Sequence, residues 1–124
     1  MARPYALLAF LWALVILIAS SVPLQPRVCT LFPHEDMLLH FLEFALLAAL
    51  VYKAFIHSSE MRTARQAAVL TFLIVVPYGA ALELYQWFIP YRECSLFDFL
   101  ANCAGSACAV FLSRGSHGQG KGQT

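Results

Sequence analysis

Between Glu83 and Gly105 the chain reads Glu-x2-Gln-x5-Arg-x5-Asp-x3-Asn-x2-Gly, which places Glu83, Gln86, Arg92, Asp98 and Asn102 within twenty residues. Carboxylates, carboxamides and a guanidinium hold cations, relay protons or grip phosphate and carboxylate oxygens. A second polar set, Asp36, His40 and Glu43, precedes them. An imidazole with Asp and Glu oxygens suits a divalent metal, so His40, Glu83 and Asp98 are candidate ligands, and Arg92 could take one oxygen pair of a phosphate bidentately. The solvent around these groups decides what they cost. The chain has 124 residues, 60 % hydrophobic and only 12 % charged, with a mean hydropathy of +0.69. A soluble domain would carry about a quarter of its residues as charges. Here the apolar residues run on without amphipathic alternation, as lipid rather than water requires. An ionisable group inside such a run costs on the order of a few kcal/mol near the bilayer centre and needs an explanation.

The elements that must position these groups are four membrane spans, expected at about 5–22, 36–55, 66–89 and 96–112. The fold class is therefore all-α, a polytopic four-helix bundle in one domain over 1–113. The residues from 114 to 124, rich in Gly and Ser, have nothing to bury and read as a disordered tail. Span one, with Arg3 before its apolar run and Ala19-Ser20-Ser21 after it, also has the order of a cleaved secretory signal. Three further spans follow closely, which favours a retained helix.

Orientation follows from the cations. With the amino terminus inside, Arg3, Lys53, Arg62, Arg65, Arg114 and Lys121 lie on the inner side and only Arg27 and Arg92 on the outer. Six against two places both termini in the cytoplasm by the positive-inside rule. The outer positions are then the loop after span one and the short turn from Pro90 to Ser95. Cys29 and Cys94 fall in these two outer segments, so they are the pair that could form a disulfide in an oxidising compartment. Trp87, Phe88 and Tyr91 fit interfacial anchors at the outer end of span three.

Depth and helical phase converge on one place. At 1.5 Å rise per residue His40 lies roughly 6 Å, and Glu43 roughly 10 Å, below Asp36. Glu83 precedes the outer end of span three by a similar distance, and Asn102 follows Asp98 by four residues. The sets Asp36, His40, Glu43, then Gly79, Glu83, Gln86, then Asp98, Asn102, Gly105 each share a face through steps of three, four and seven. A polar chamber in the outer half of the bundle is expected, with Arg92 above it. Four carboxyls against one arginine and one histidine cannot all ionise unaided in low dielectric. Some hold protons, a cation is bound, or the ligand is cationic. Taken one at a time, Gln86 and Asn102 are the kind of group that pairs across helices as packing glue. Pro77 frees the carbonyl of Leu73 and Gly79 permits close approach, both ordinary packing features.

Asp-x3-His at the start of one span, then Glu-x2-Gln with Phe-Ile-Pro and Arg, then Asp-x3-Asn-x2-Gly, resembles the VanZ-like family of small bacterial membrane proteins. The matching positions are Asp36, His40, Glu83, Gln86, Pro90, Arg92, Asp98, Asn102 and Gly105, and the resemblance covers about 36–113. It departs at Met37, where the family commonly has Lys. The chamber is more acidic for that loss. The resemblance implies a multi-pass protein of the bacterial inner membrane, and a founding member associated with low-level resistance to the glycopeptide teicoplanin. It supplies no established reaction.

Three functions stay open. One is a binding or lipid-handling protein whose ligand is a lipid-linked phosphate or cell-wall precursor at the outer leaflet. Another is a metal-assisted hydrolase of a lipid-phosphate, with His40 and Glu83 as ligands or as acid and base. The last is a proton or ion pathway, although the inner half of the spans has no matching polar groups. No zinc-protease motif, Cys-x2-Cys pair, phosphate-cradling loop or nucleophile elbow is present, and Ser95 and Ser106 read as ordinary serines. A net charge of +1 with no basic stripe excludes nucleic acid as a partner.

Overall fold

The structure is a computed structural model and describes residues 2–21, 35–60, 63–89 and 96–119. These form four helices, α1 (Ala2–Ser21), α2 (Glu35–Ile56), α3 (Ala64–Trp87) and α4 (Leu96–Gln119). Each is long and apolar enough to cross a membrane. Twenty residues of helix span about 30 Å, the thickness of the hydrocarbon core. A helix pairs its interior backbone donors and acceptors within itself, the condition for a chain to lie in lipid.

Cross-helix contacts fix the bundle. The Tyr5 ring of α1 stacks on His57 with centroids 5.3 Å apart, and Lys53 Nζ lies 5.7 Å from the same ring. The start of α1 thus meets the end of α2. Midway, Trp12 Nε1 donates to the Glu43 carbonyl at 2.9 Å. Helices α1 and α3 run alongside in the same direction: the Tyr78 hydroxyl donates to the Ala13 carbonyl, and the Ser21 and Tyr85 hydroxyls are 3.1 Å apart. Helix α2 packs against each of the other three. Its buried face carries Phe44, Leu47, Ala48 and Tyr52, which meet Ala67, Ala68, Val75 and Leu82 of α3, Ile16 of α1 and Val110 of α4.

Small residues set how closely the helices approach, as in lipid they must, because burial of apolar area drives little there. A Cβ on Gly105 would collide with the Phe41 carbonyl, so α4 lies directly against the α2 backbone at that level. Large apolar side chains such as Leu7, Phe10, Ile18, Leu73 and Phe111 point outward. Trp87 and Phe88 are exposed at the end of α3, as anchors would be. Pro77 lies within α3, which continues past it. Thr63 caps the start of α3 by accepting from the Gln66 amide at 3.1 Å.

The helix bounds follow the expected spans except at the end of α4. The expected disordered tail began at 114, whereas α4 runs to Gln119. A helix already nucleated by an apolar span gains one backbone hydrogen bond for each residue it adds, and a Gly costs only about 1 kcal/mol against Ala. The Ser116 hydroxyl donates to the Ser113 carbonyl at 3.0 Å in this extension.

Candidate functional site

All four helices have an end opposite the amino terminus, here termed the far end, where α1 and α3 finish and α2 and α4 begin. The candidate site lies there. His40 is one turn and a half into α2, Asp98 is in the first turn of α4, and Glu83 is in the last full turns of α3. One donor atom from each of these three side chains lies within 4.8 Å of the other two. The His40 Nε2 to Asp98 Oδ2 separation is 3.7 Å. Three residues that are 40, 83 and 98 along the chain have thus been gathered into one site by three helices.

The gathering has a local cause. Gly105 lets α4 back against α2 at Phe41, the neighbour of His40, and this close approach brings Asp98 to the imidazole. On α3, Gly79 lies one turn below Glu83 on the same face. A Cβ there would stand 3.1 Å from Phe44 Cε1 and 3.4 Å from Asn102 Nδ2. The Asn102 side chain therefore reaches α3 one turn beneath the three donors, with the Phe44 ring beside it.

Burial is deep for groups this polar. Glu83 is 4 % exposed, and Gln86 and Asn102 are each 2 % exposed. His40 and Asp98 keep 12 % and 17 % side-chain exposure, so they form the open side. Among the described residues, His40 Nδ1, Gln86 Nε2 and both the Oδ1 and Nδ2 of Asn102 have no hydrogen-bond partner. An unsatisfied buried polar atom costs about 1–3 kcal/mol, so four of them around one cluster require an explanation. By contrast Ser106, fully buried, donates to the Asn102 carbonyl at 2.8 Å, and Thr71 donates to the Ala67 carbonyl at 2.8 Å. Those hydroxyls are ordinary helix-backbone pairs.

The expected residues sort into three groups. His40, Glu83 and Asp98 come together, and Gln86 and Asn102 lie buried on the same stripes. Glu43, three residues on from His40, is outside the three-donor group. Its backbone carbonyl accepts from the Trp12 indole. The side chain of Asp36, at the start of α2, and the whole of Arg92, Cys29, Cys94, Pro90, Tyr91 and Ser95 lie outside the described residues. Phe41, Phe44 and Tyr78 border the site without having been singled out, because one aromatic in an apolar run looks like any other. Gly105 was placed on the polar stripe, yet its close approach to Phe41 has no sequence signal beyond being small.

A family model for VanZ/LLP1 matches residues 5–116, nearly the whole chain. The chain belongs to the VanZ/LLP1 family. The match begins in α1 and ends in α4, so all four helices fall within the VanZ/LLP1 unit. The chain is also similar to a protein of Schizosaccharomyces pombe named "Uncharacterized protein C11E3.10", with 33 % identity over 96 residues. That alignment covers 77 % of this chain and 50 % of the other, so the chain spans about half the length of this curated relative. No solved structure matches. Family membership and four spanning helices together make this a multi-pass VanZ/LLP1 membrane protein.

Proposed function

We propose that this VanZ/LLP1 protein uses its far-end chamber to bind the polar head of a cell-envelope or lipid-linked ligand, and that this binding alters susceptibility to glycopeptides such as teicoplanin. The observation that carries the reading is the convergence of His40, Glu83 and Asp98 donor atoms within 4.8 Å. Around them Asn102 and Gln86 are buried with unmatched polar atoms. A head group entering past His40 and Asp98 would supply the missing partners while its chain stayed in the bilayer. The Lys and Arg distribution supports an outer-leaflet position for this end. Arg92, in the segment before α4, would add a bidentate contact to a phosphate.

The composition of the donor set also favours a second reading, a metal-assisted hydrolase of a lipid-phosphate. One imidazole and two carboxylates are able to hold a metal that activates water. A proton pathway fits less well. Among the described residues the buried polar groups toward the end where α1 begins are hydroxyls, Thr71 committed to the Ala67 carbonyl and Tyr52, with no buried carboxylate beside them.

The test is a susceptibility assay on isogenic bacteria making the wild type, Glu83→Gln or Asp98→Asn at equal membrane levels, combined with native mass spectrometry against a polyprenyl monophosphate. The wild type should shift the teicoplanin threshold and retain the lipid, and the variants should do neither. Equal thresholds and equal lipid retention in all three strains would refute the reading. Phosphate released from the same lipid by wild type alone would move the assignment to the hydrolase.

A further inference from the structure

We propose that His40, Glu83 and Asp98 form a binding site for one divalent transition-metal ion of the Zn2+ or Mn2+ class, with Asn102 supporting it from beneath and open coordination positions facing the head group. The inference rests on reading the chamber as a ligand site and gives that site its cation.

Distance is the first argument. A zinc ion bound at about 2.0–2.2 Å by nitrogen and oxygen holds adjacent donors roughly 3.0–3.5 Å apart. His40 Nε2 and Asp98 Oδ2 are 3.7 Å apart, and all three donor atoms lie within 4.8 Å. Closing such gaps takes about 1 Å of side-chain rotation, without movement of the helices. A direct hydrogen bond would hold the imidazole at about 2.7–3.2 Å from the carboxylate, and this pair stands wider, at 3.7 Å.

Charge is the second argument. Two carboxylates bring the negative charge that a divalent cation attracts, and a neutral imidazole adds a donor without adding charge. The resulting centre is Lewis acidic. It can accept phosphate oxygens that an acidic chamber alone would repel. Three protein ligands with further positions open are also what a site needs if a second molecule is to reach the metal.

The buried carboxamide is the third argument and is independent of the carboxylates. Asn102 is 98 % buried by the 2 % exposure it retains, and neither of its side-chain polar atoms has a partner among the described residues. It lies one turn from Asp98 on α4 and reaches Gly79, one turn from Glu83 on α3. Metal sites carry a second layer of polar groups that orient ligands and bound water, and Asn102 stands where such a group belongs. The His40 Nδ1, which has no protein partner, would need a water or a ligand oxygen as the acceptor that metal-bound imidazoles ordinarily have. The imidazole favours Zn2+ and the two carboxylates admit Mn2+, whereas Mg2+ keeps to oxygen and water.

The full chain, purified in detergent, stripped with chelator and placed in phosphatidylcholine nanodiscs, should take up one Mn2+ per chain, read by loss of the free-ion electron paramagnetic resonance signal. Zn2+ should displace it. His40→Gln and Glu83→Gln should each weaken uptake at least tenfold while the particles stay monodisperse, and Asn102→Ala should weaken it less. X-ray absorption of the Zn2+ form should report nitrogen and oxygen neighbours only. Sulfur in the first shell would move the ion to Cys103 or Cys108 and overturn the assignment, as would uptake that His40→Gln and Glu83→Gln leave unchanged. A polyprenyl monophosphate supplies the separating arm. Its binding to the stripped wild type, with no stoichiometric ion taken up, would sink the metal site and leave the head-group reading standing. Loss of both would sink both.

Discussion

Gly105 of α4 lies against the backbone of Phe41 in α2 so closely that a single added methyl would run into the Phe41 carbonyl. A backbone carbonyl inside a helix cannot swing away, so the two helices would have to separate. Gly105→Ala should destabilise the bundle by about 1–3 kcal/mol, the range for an overpacked core. At Gly79 the same methyl meets the Phe44 ring at 3.1 Å and the Asn102 side chain at 3.4 Å. Both can yield, and Ala gains roughly 0.5–1 kcal/mol over Gly in a helix. Gly79→Ala should therefore stay within about 1 kcal/mol of wild type. Unfolding in mixed micelles with increasing sodium dodecyl sulfate measures both, and equal losses would refute the asymmetry.

Trp12 ties α1 to α2 through one indole hydrogen bond to the Glu43 carbonyl at 2.9 Å. Trp12→Phe removes that donor together with one ring of the indole, and should cost at least the roughly 0.5–1.5 kcal/mol of the bond in the same unfolding assay. It should leave ion binding at His40, Glu83 and Asp98 unchanged, because the bond is made to a backbone carbonyl and not to any of the three donors.

The fold was largely legible because lipid leaves few choices. A run of some twenty apolar residues has to be a helix, and the four expected spans differ from α1 to α3 and the start of α4 by only a few residues. The end of α4 was not legible, since Gly115 and Ser116 look like coil and only continuity with the span makes them helical. At the site, a polar residue on an apolar helix has one place to go, the interior. Spacing then assigned His40, Glu83 and Asp98 to a common face and depth. Glu43 was assigned there too. Which neighbour a residue at the edge of that stripe serves depends on where α1 and α3 pack. That placement is set by Trp12 and Tyr78, whose partners are 31 and 65 residues away. No local pattern encodes those contacts.

Sidedness has its own prediction. Four antiparallel spans return the chain to the side on which it started, and Arg3, Lys53, Arg62, Arg65, Arg114 and Lys121 all belong to that side. Both termini should be cytoplasmic. Fusions of an externally active phosphatase and of a cytoplasmically fluorescent protein after Lys121 give opposite signals, and only the fluorescent fusion should report. An active phosphatase there would turn the chamber toward the cytoplasm and exclude an outer-leaflet ligand.

The strongest prediction concerns coupling among the polar residues themselves. If Glu83, Arg92 and Asp98 serve one bound head group, removing any of them should abolish most of the function, and removing a second should add little. Groups that act as a unit are non-additive. Glu83→Gln, Arg92→Ala and Asp98→Asn should each lower the teicoplanin effect by at least tenfold, and Glu83→Gln with Asp98→Asn should be no more than about twofold worse than either alone. Protein level in the membrane must be followed in the same cells, because a stabilising role makes the opposite forecast. Were the ladder only a means of holding helices together, each substitution would reduce the amount of folded protein in step with the effect. Apolar replacements of the whole set, such as Glu83→Leu with Asp98→Leu, would then restore both, since burying well-packed hydrophobic groups is often as stable as burying a charge pair. Recovery of folded protein without recovery of the susceptibility shift is the outcome that separates a working site from glue.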